Sequence, residues 1–251
     1  MALKTATRTV KTKAAYRCEW REVVALNFKV DPRVLQPHLP TGARILQFND
    51  HVLLTLMAKN VREVQPYGRS LTLFRSIDEI DFRTYISMPV DGEMLRGHLK
   101  LRNLISNKMA GRVFKLLTGQ TQELISSQRS TSGFEEARRD ALPTANYQWT
   151  SADQKNQFLV KARNAAKKTD DESKERFVLK QENRFIVTKK GVMCYPIRQA
   201  PWLVWNGSSG SFDCNLKMAL GPELGKHLSR PIFVLMSRGG EVTVSKGRAA
   251  G

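Results

Sequence analysis

The stretch Ser76-Ile77-Asp78-Glu79-Ile80-Asp81-Phe82-Arg83-Thr84-Tyr85-Ile86-Ser87-Met88, with Arg96 to Ile105 beyond it, decides how this chain folds. In an extended strand successive side chains point to opposite faces. Ile80, Phe82, Thr84, Ile86 and Met88 therefore share one face, and Glu79, Asp81, Arg83 and Tyr85 share the other. In the second segment Leu99 and Leu101 alternate with His98, Lys100 and Arg102 in the same way. Pro89-Val90-Asp91-Gly92 between them is turn chemistry, so the two segments read as an antiparallel hairpin. Each strand carries one apolar and one charged face.

That charged face has two physical readings. One face of an antiparallel sheet is normally wet, and a wet ladder of cross-strand ion pairs contributes well under ~1 kcal/mol per pair. The other reading turns the face into a cavity. There Arg83 would clamp a carboxylate bidentately, Tyr85 would orient it, and Lys100 and Arg102 would add positive charge. Glu79 would serve as a general base if burial raised its pKa.

Working outward, Val24, Leu26, Phe28 and Val30 alternate with Asn27 and Lys29, a half-buried strand. Asp31-Pro32 starts a short helical turn, and His51 to Met57 is apolar enough for a strand covered on both faces. Asn107 to Leu117 has helical spacing and ends near Gly119, while Asp170 to Lys180 reads as a second helix. Ser126 to Gly133 is polar and Ser-rich and reads as a loop; Tyr147 to Trp149 and Gln157 to Arg163 fit strand or helix. Lys189-Lys190-Gly191 and Gly239-Gly240 mark two further hairpins, 183–198 and 231–246. Asp213 reads as the N-cap of a short helix broken by Gly221-Pro222. Trp202, after Pro201, lies either at a cavity mouth or in plain core. Consecutive hairpins with few short helices give a mainly β, antiparallel sheet or barrel.

The chain has 251 residues and a net charge of +18, from 41 basic and 23 acidic side chains. Lys4, Arg8, Lys11, Lys13 and Arg17 precede the first acid, Glu19, so residues 1–18 read as a basic tail and 19–251 as a single domain. A basic tail admits nucleic acid, another polyanion or targeting as its purpose. Three cysteines and four histidines without metal-ligand spacing argue against a disulfide framework or a metal site. The longest apolar run, Val52 to Ala58, is far short of the ~18 residues of a membrane span, so no membrane insertion is expected and the location read is cytoplasmic. The motifs of nucleotide cofactors and of the nucleophile elbow do not occur, and no cofactor is expected.

Three sets of residues together resemble the YqjF-like family, related to acetoacetate decarboxylase. They are Val30-Asp31-Pro32 with Leu39-Pro40-Thr41-Gly42; Ile80-Asp81-Phe82-Arg83-Thr84-Tyr85; and Glu182-Asn183-Arg184-Phe185 with Ala200-Pro201-Trp202. The resemblance implies a cone-shaped antiparallel β-barrel with an internal cavity. In the decarboxylase a lysine forms a Schiff base, which requires an amine kept neutral by desolvation and a neighbouring cation. The decarboxylase's lysine pair would fall at Leu117-Thr118-Gly119-Gln120, which holds no lysine. Lys108 and Lys115 fall on an amphipathic helix, and Lys189-Lys190 on a hairpin tip. Decarboxylation is therefore not carried over. The function expected is a barrel pocket for a small anionic or keto-bearing metabolite, with Arg83, Tyr85, Glu79, Lys100, Arg102 and Trp202 as its residues; the alternative is a non-catalytic basic protein binding nucleic acid or another polyanion.

Overall fold

A computed structural model describes residues 13–67, 73–135, 142–170, 172–226, 228 and 230–251. The main elements, in chain order, are β1 (Ala14–Lys29), β2 (His51–Pro66), β3 (Ile77–Val90), β4 (Glu93–Ile105) and helix α1 (Lys108–Thr118). Next come β5 (Ser126–Ser132), β6 (Thr144–Ser151), β7 (Gln154–Ala162) and helix α2 (Lys174–Leu179). The chain ends through β8 (Asn183–Thr188), β9 (Gly191–Gln199), β10 (Leu203–Asp213) and β11 (Phe233–Ser245), with shorter pieces between.

Seven strands close into a barrel in the order β1-β2-β3-β4-β8-β9-β11, and β11 pairs with β1 again. Every pairing is antiparallel except β4 with β8. The first half of β11 stays paired with β1 but takes β10 on its other edge, extending the sheet through β7 and β6 to β5.

The alternation read in the sequence decides what lies on each side of the barrel wall. Val24, Leu26, Phe28, Leu54, Leu56, Ile80 and Phe82 point outward and pack beneath Tyr147, Trp149, Phe158 and Trp205 of the extended sheet. Tyr16, Cys18, Trp20, Met57, Tyr85, Ile186, Leu235 and Val242 point inward. Both faces of the barrel strands are thus covered, which is why β2 is buried continuously from Val52 to Val61.

Helices cover the barrel's ends. On the side of Ile105, α1 is capped by the Asn107 side chain, which accepts from the Ala110 N–H at 2.9 Å, and it sets Phe114 against Tyr16. On the side of Tyr85, α2 places Phe177 against the Tyr85 ring at 4.7 Å between centroids.

Several expectations need correction. Strand β1 begins at Ala14, and Tyr16 and Cys18 are buried, so the ordered domain reaches back before residue 19; tail residues 1–12 lie outside the described residues. Ser126–Ser132 is a strand, not a loop, because its polar side chains only line the far edge of the extended sheet. Gly239-Gly240 is not a hairpin turn: β11 runs straight through it. Gly239 has φ +78°, and a Cβ there would lie 1.9 Å from the Trp20 carbonyl oxygen, so glycine answers close strand approach rather than reversal. The helix cap after β10 is Asn215, whose side chain accepts from the Met218 N–H, and not Asp213. Among the described residues no helix is long and apolar enough to cross a membrane.

Candidate functional site

The charged face of β3 and β4 turns into the barrel. Lys59 from β2, Glu79, Asp81 and Arg83 from β3, Lys100 from β4 and Arg184 from β8 are all buried there. The wet-ladder reading of this face fails: Arg83 is 2% exposed and Asp81 0%.

Asp81 is the hub. Arg83 donates to it through Nε and Nη2, both at 2.5 Å, and Lys59 Nζ donates at 2.8 Å. Lys100 Nζ donates to Glu79 and to Asn103 Oδ1, and Lys59 lies 3.3 Å from Glu79 as well. Burial pushes both carboxyls up. For Glu79 the ammonium groups of Lys100 and Lys59 outweigh burial and hold it at about 2. For Asp81 the Arg83, Lys59 and Lys100 charges hold it well below the usual carboxylate range. The condition set for Glu79 as a general base is therefore not met; it is a permanently charged counter-ion. Burial pulls Lys100 down to about 7, against the opposing pull of Glu79 and Asp81. The hydrogen bonds of Lys59 and Lys100 go to Asp81, Glu79 and Asn103, so both act as ion-pair partners within a network.

Arg184 stands apart from this saturation. It is 3% exposed, its Nη1 donates to Tyr16 Oη at 2.8 Å, and its guanidinium lies 5.6 Å from the Trp20 ring centre. Its Nε has no hydrogen-bond partner among the described residues. His98, its register neighbour across the parallel β4–β8 pair, has neither ring nitrogen partnered. Burial and the nearby Arg83 and Arg184 charges keep that imidazole neutral, well below its ordinary pKa. The parallel pairing covers only two residue pairs. Beside it runs a groove of about 200 Å³ lined by Leu99 to Asn103, Gln120, Thr121, Ile186 and Val187 together with His38.

Of the residues expected at the site, Glu79, Arg83 and Lys100 come together. Tyr85 is inside the barrel, but its hydroxyl bonds Thr55 at 2.8 Å, and Thr55 in turn bonds Asn27. Trp202 is 6% exposed and packs edge-on against Trp20, one ring removed from Lys59 and Arg184. Arg102 does not belong to the cluster: it pairs with Glu123 and donates to the Met218 and Ala219 carbonyls. The reason is a β-bulge. Arg83 faces Lys100 while Phe82 faces Arg102, so Leu101 is an extra residue that flips the strand's phase. Asn103 thereby takes the inward position that simple alternation assigns to Arg102.

Lys59, Asn103 and Arg184 were missed by sequence reasoning. Lys59 had a signal: it is the one charged residue between Val52 and Val61, a stretch whose apolar residues fit a strand covered on both faces, where a charge needs a partner. Among the described residues no group of His, Cys, Asp and Glu is placed to hold a metal ion.

A family model described as "Uncharacterized conserved protein", DUF2071, matches residues 17–241. The chain belongs to this family. Solved structures share the fold of this DUF2071 chain at low sequence identity. Acetoacetate decarboxylase from Legionella pneumophila superposes with a TM-score of 0.65 at 12% identity, over 98% of this chain and 92% of that one. An acetoacetate decarboxylase-like enzyme from Sphingomonas wittichii RW1 gives 0.62 at 10% identity, over 100% and 98%. The enduracididine biosynthesis enzyme MppR, complexed with pyruvate, gives 0.62 at 12% identity, over 98% and 92%. At such identities the likeness is one of fold. A comparison with curated proteins finds no match. The acetoacetate decarboxylase-like barrel implied by the sequence resemblance is thus the fold observed.

Proposed function

We propose that this protein binds a small anionic or keto-bearing metabolite inside the barrel, beside the groove next to Lys100. The observation that carries the reading is a charge imbalance: among the described residues four buried basic side chains, Lys59, Arg83, Lys100 and Arg184, face two carboxylates, Glu79 and Asp81. Tyr16 and Cys18 do not correct it, since burial raises the pKa of both and keeps them neutral. Unpaired charge is costly inside a protein, and buried polar groups are normally satisfied. Unpartnered donors on Arg184 and Trp202, and a neutral His98 with both nitrogens free, suit an anion's oxygens. The pyruvate held by MppR, on the same fold, is a ligand of this class.

Thermal unfolding with a panel of small acids tests it, using pyruvate, acetoacetate, 2-oxobutyrate and acetate at neutral pH. A true ligand at a hundred times its Kd raises Tm by about 5 °C or more for a domain of this size. A flat response to the whole panel and to the diacids named below, in protein that melts cooperatively, would overturn the reading. So would a rise that survives unchanged in Arg184→Met.

A further inference from the structure

We propose that the molecule taken by this interior is a dianion, a short dicarboxylate or a phosphate, and that its binding draws part of a proton onto the protein. The proposal rests on the binding reading above and adds the ligand's charge to it.

The argument begins with counting. With all four basic groups protonated, the cluster exceeds its carboxylates by two positive charges. A monoanion balances the cluster only while Lys100 is neutral; with Lys100 protonated, only a dianion leaves no buried charge uncompensated. The network cannot absorb the excess internally. Asp81 already accepts from Arg83 twice and from Lys59, with Lys100 at 3.6 Å, and Glu79 is shared by both lysines.

Donor capacity gives the same answer. A guanidinium carries five N–H donors, and Arg184 commits one, to Tyr16. An ammonium carries three, and each lysine has capacity left after its bonds to Asp81, Glu79 and Asn103. Arg184 on β8 and Lys59 on β2 both flank the Trp20 ring, at 5.6 and 4.9 Å from its centre, so cations with spare donors on two strands lie about one aromatic side chain. His98, neutral, can add one N–H. The adjoining groove of about 200 Å³ is below the ~300 Å³ at which drug-sized sites begin, which suits a short diacid.

The proton is assigned to Lys100. The groups around it are Glu79, Asp81 and, directly opposite in register, Arg83 on β3, Lys59 on β2, Arg184 on β8, and His98 and Asn103 on its own strand. With its pKa pulled down to about 7, Lys100 is only partly protonated near pH 7.5. New negative charge beside it favours the ammonium form, so the complex takes up part of a proton.

Isothermal titration with malonate, succinate, 2-oxoglutarate and inorganic phosphate tests this, with succinamate as the size-matched monoanion. A dianion should bind about tenfold or more tightly than succinamate. Tighter diacids identify the two-carboxylate form, and tighter phosphate the other source. Equal affinity for succinate and succinamate overturns the dianion while leaving the binding reading standing; no binding by any acid overturns both. Arg184→Met should shrink the preference to about threefold or less, and Lys59→Met serves as a second variant if the first does not melt cooperatively. A preference untouched in a folded variant overturns the assignment. Titrating in two buffers of different ionisation enthalpy at pH 7.5 should show proton uptake. Zero uptake or release overturns the role given to Lys100.

Discussion

Two buried ionic clusters in this molecule invite comparison. The first is the barrel interior around Asp81. The second lies outside the wall, where Glu22, at a bulge of β1 with φ +53°, accepts from Arg62 and Arg129 at 2.6 Å and from Thr131 at 3.0 Å. Asp78 completes that second cluster, 3.5 Å from Arg129 and bonded to Asn60 and Ser127 at 2.9 Å. There two arginines meet Glu22 and Asp78, with the exposed Glu135 3.8 Å from Arg62 as well; both arginines remain partly wetted, and the bonds tie the strained bulge to β2, β3 and β5. A balanced cluster of this kind holds the extended sheet to the barrel. The interior cluster instead sets four basic side chains against two carboxylates among the described residues, all of them nearly fully buried. Acids that offset the cations suit structural linkage; the surplus of buried cations inside the barrel is what the proposed ligand would offset.

The largest effect should separate the two. Asp81→Asn removes the hub and leaves three buried cations around it, costing about 3–5 kcal/mol, as breaking a buried ion pair from one side does. Asp78→Asn, 14% exposed in its side chain, should cost on the order of 1 kcal/mol. Urea unfolding of both variants checks this, and equal losses would break the comparison. Next in size is the acid limb of the stability curve. The Glu79 carboxyl is held at about 2 against an ordinary 4.5, so between those values the unfolded chain binds more protons and stability rises with pH. Its contribution is present above pH 4.5 and is lost as pH falls towards 2, a span on the order of 3 kcal/mol. Melting from pH 6 down to about 2.5 should therefore show a steeper decline in the parent than in Glu79→Gln; parallel curves would contradict it.

Much of this contrast was legible in the sequence. The alternation from Ser76 to Met88 gave a strand with opposed faces, and Glu79, Arg83 and Lys100 did converge. What alternation cannot give is which face closes over, because that depends on the non-local closure of β11 onto β1 and of β8 onto β4. Nor does a bulge announce itself: nothing at Leu101 distinguishes it from its neighbours, so Arg102 was placed inside and Asn103 was overlooked. Gly239-Gly240 misled for a related reason. Glycine serves turns and close strand approaches alike, and only the Trp20 carbonyl shows which one is required.

A finer test substitutes one arginine in each cluster. Arg129→Met strips Glu22 of a donor and Asp78 of an ion-pair partner at 3.5 Å and should cost about 1–3 kcal/mol. Arg184→Met removes one of the surplus cations and keeps an apolar side chain over Trp20. It should change stability by no more than about 1 kcal/mol in either direction, since replacing uncompensated buried charge with hydrocarbon is neutral or favourable. Denaturant midpoints decide it. An Arg184 variant as damaged as the Arg129 variant would mean that the interior is internally balanced after all.

The smallest expected effect concerns the bulge. Arg102 lies two residues from Lys100, yet its side chain is 25% exposed and pairs with a Glu123 that is 34% exposed. Such a pair is screened by water and salt, so Arg102→Ala should cost less than about 1 kcal/mol, and less again in about 1 M salt. The value of so small a number is that it is diagnostic. Had the pairing run on from Arg83–Lys100 with Leu101 in register, Arg102 would stand opposite Asp81 inside the barrel, and truncating it would unbalance the hub as severely as Asp81→Asn does. A loss of that size would place Arg102 in the interior and remove Asn103 from it, and the count of surplus charge on which the dianion depends would have to include one cation more.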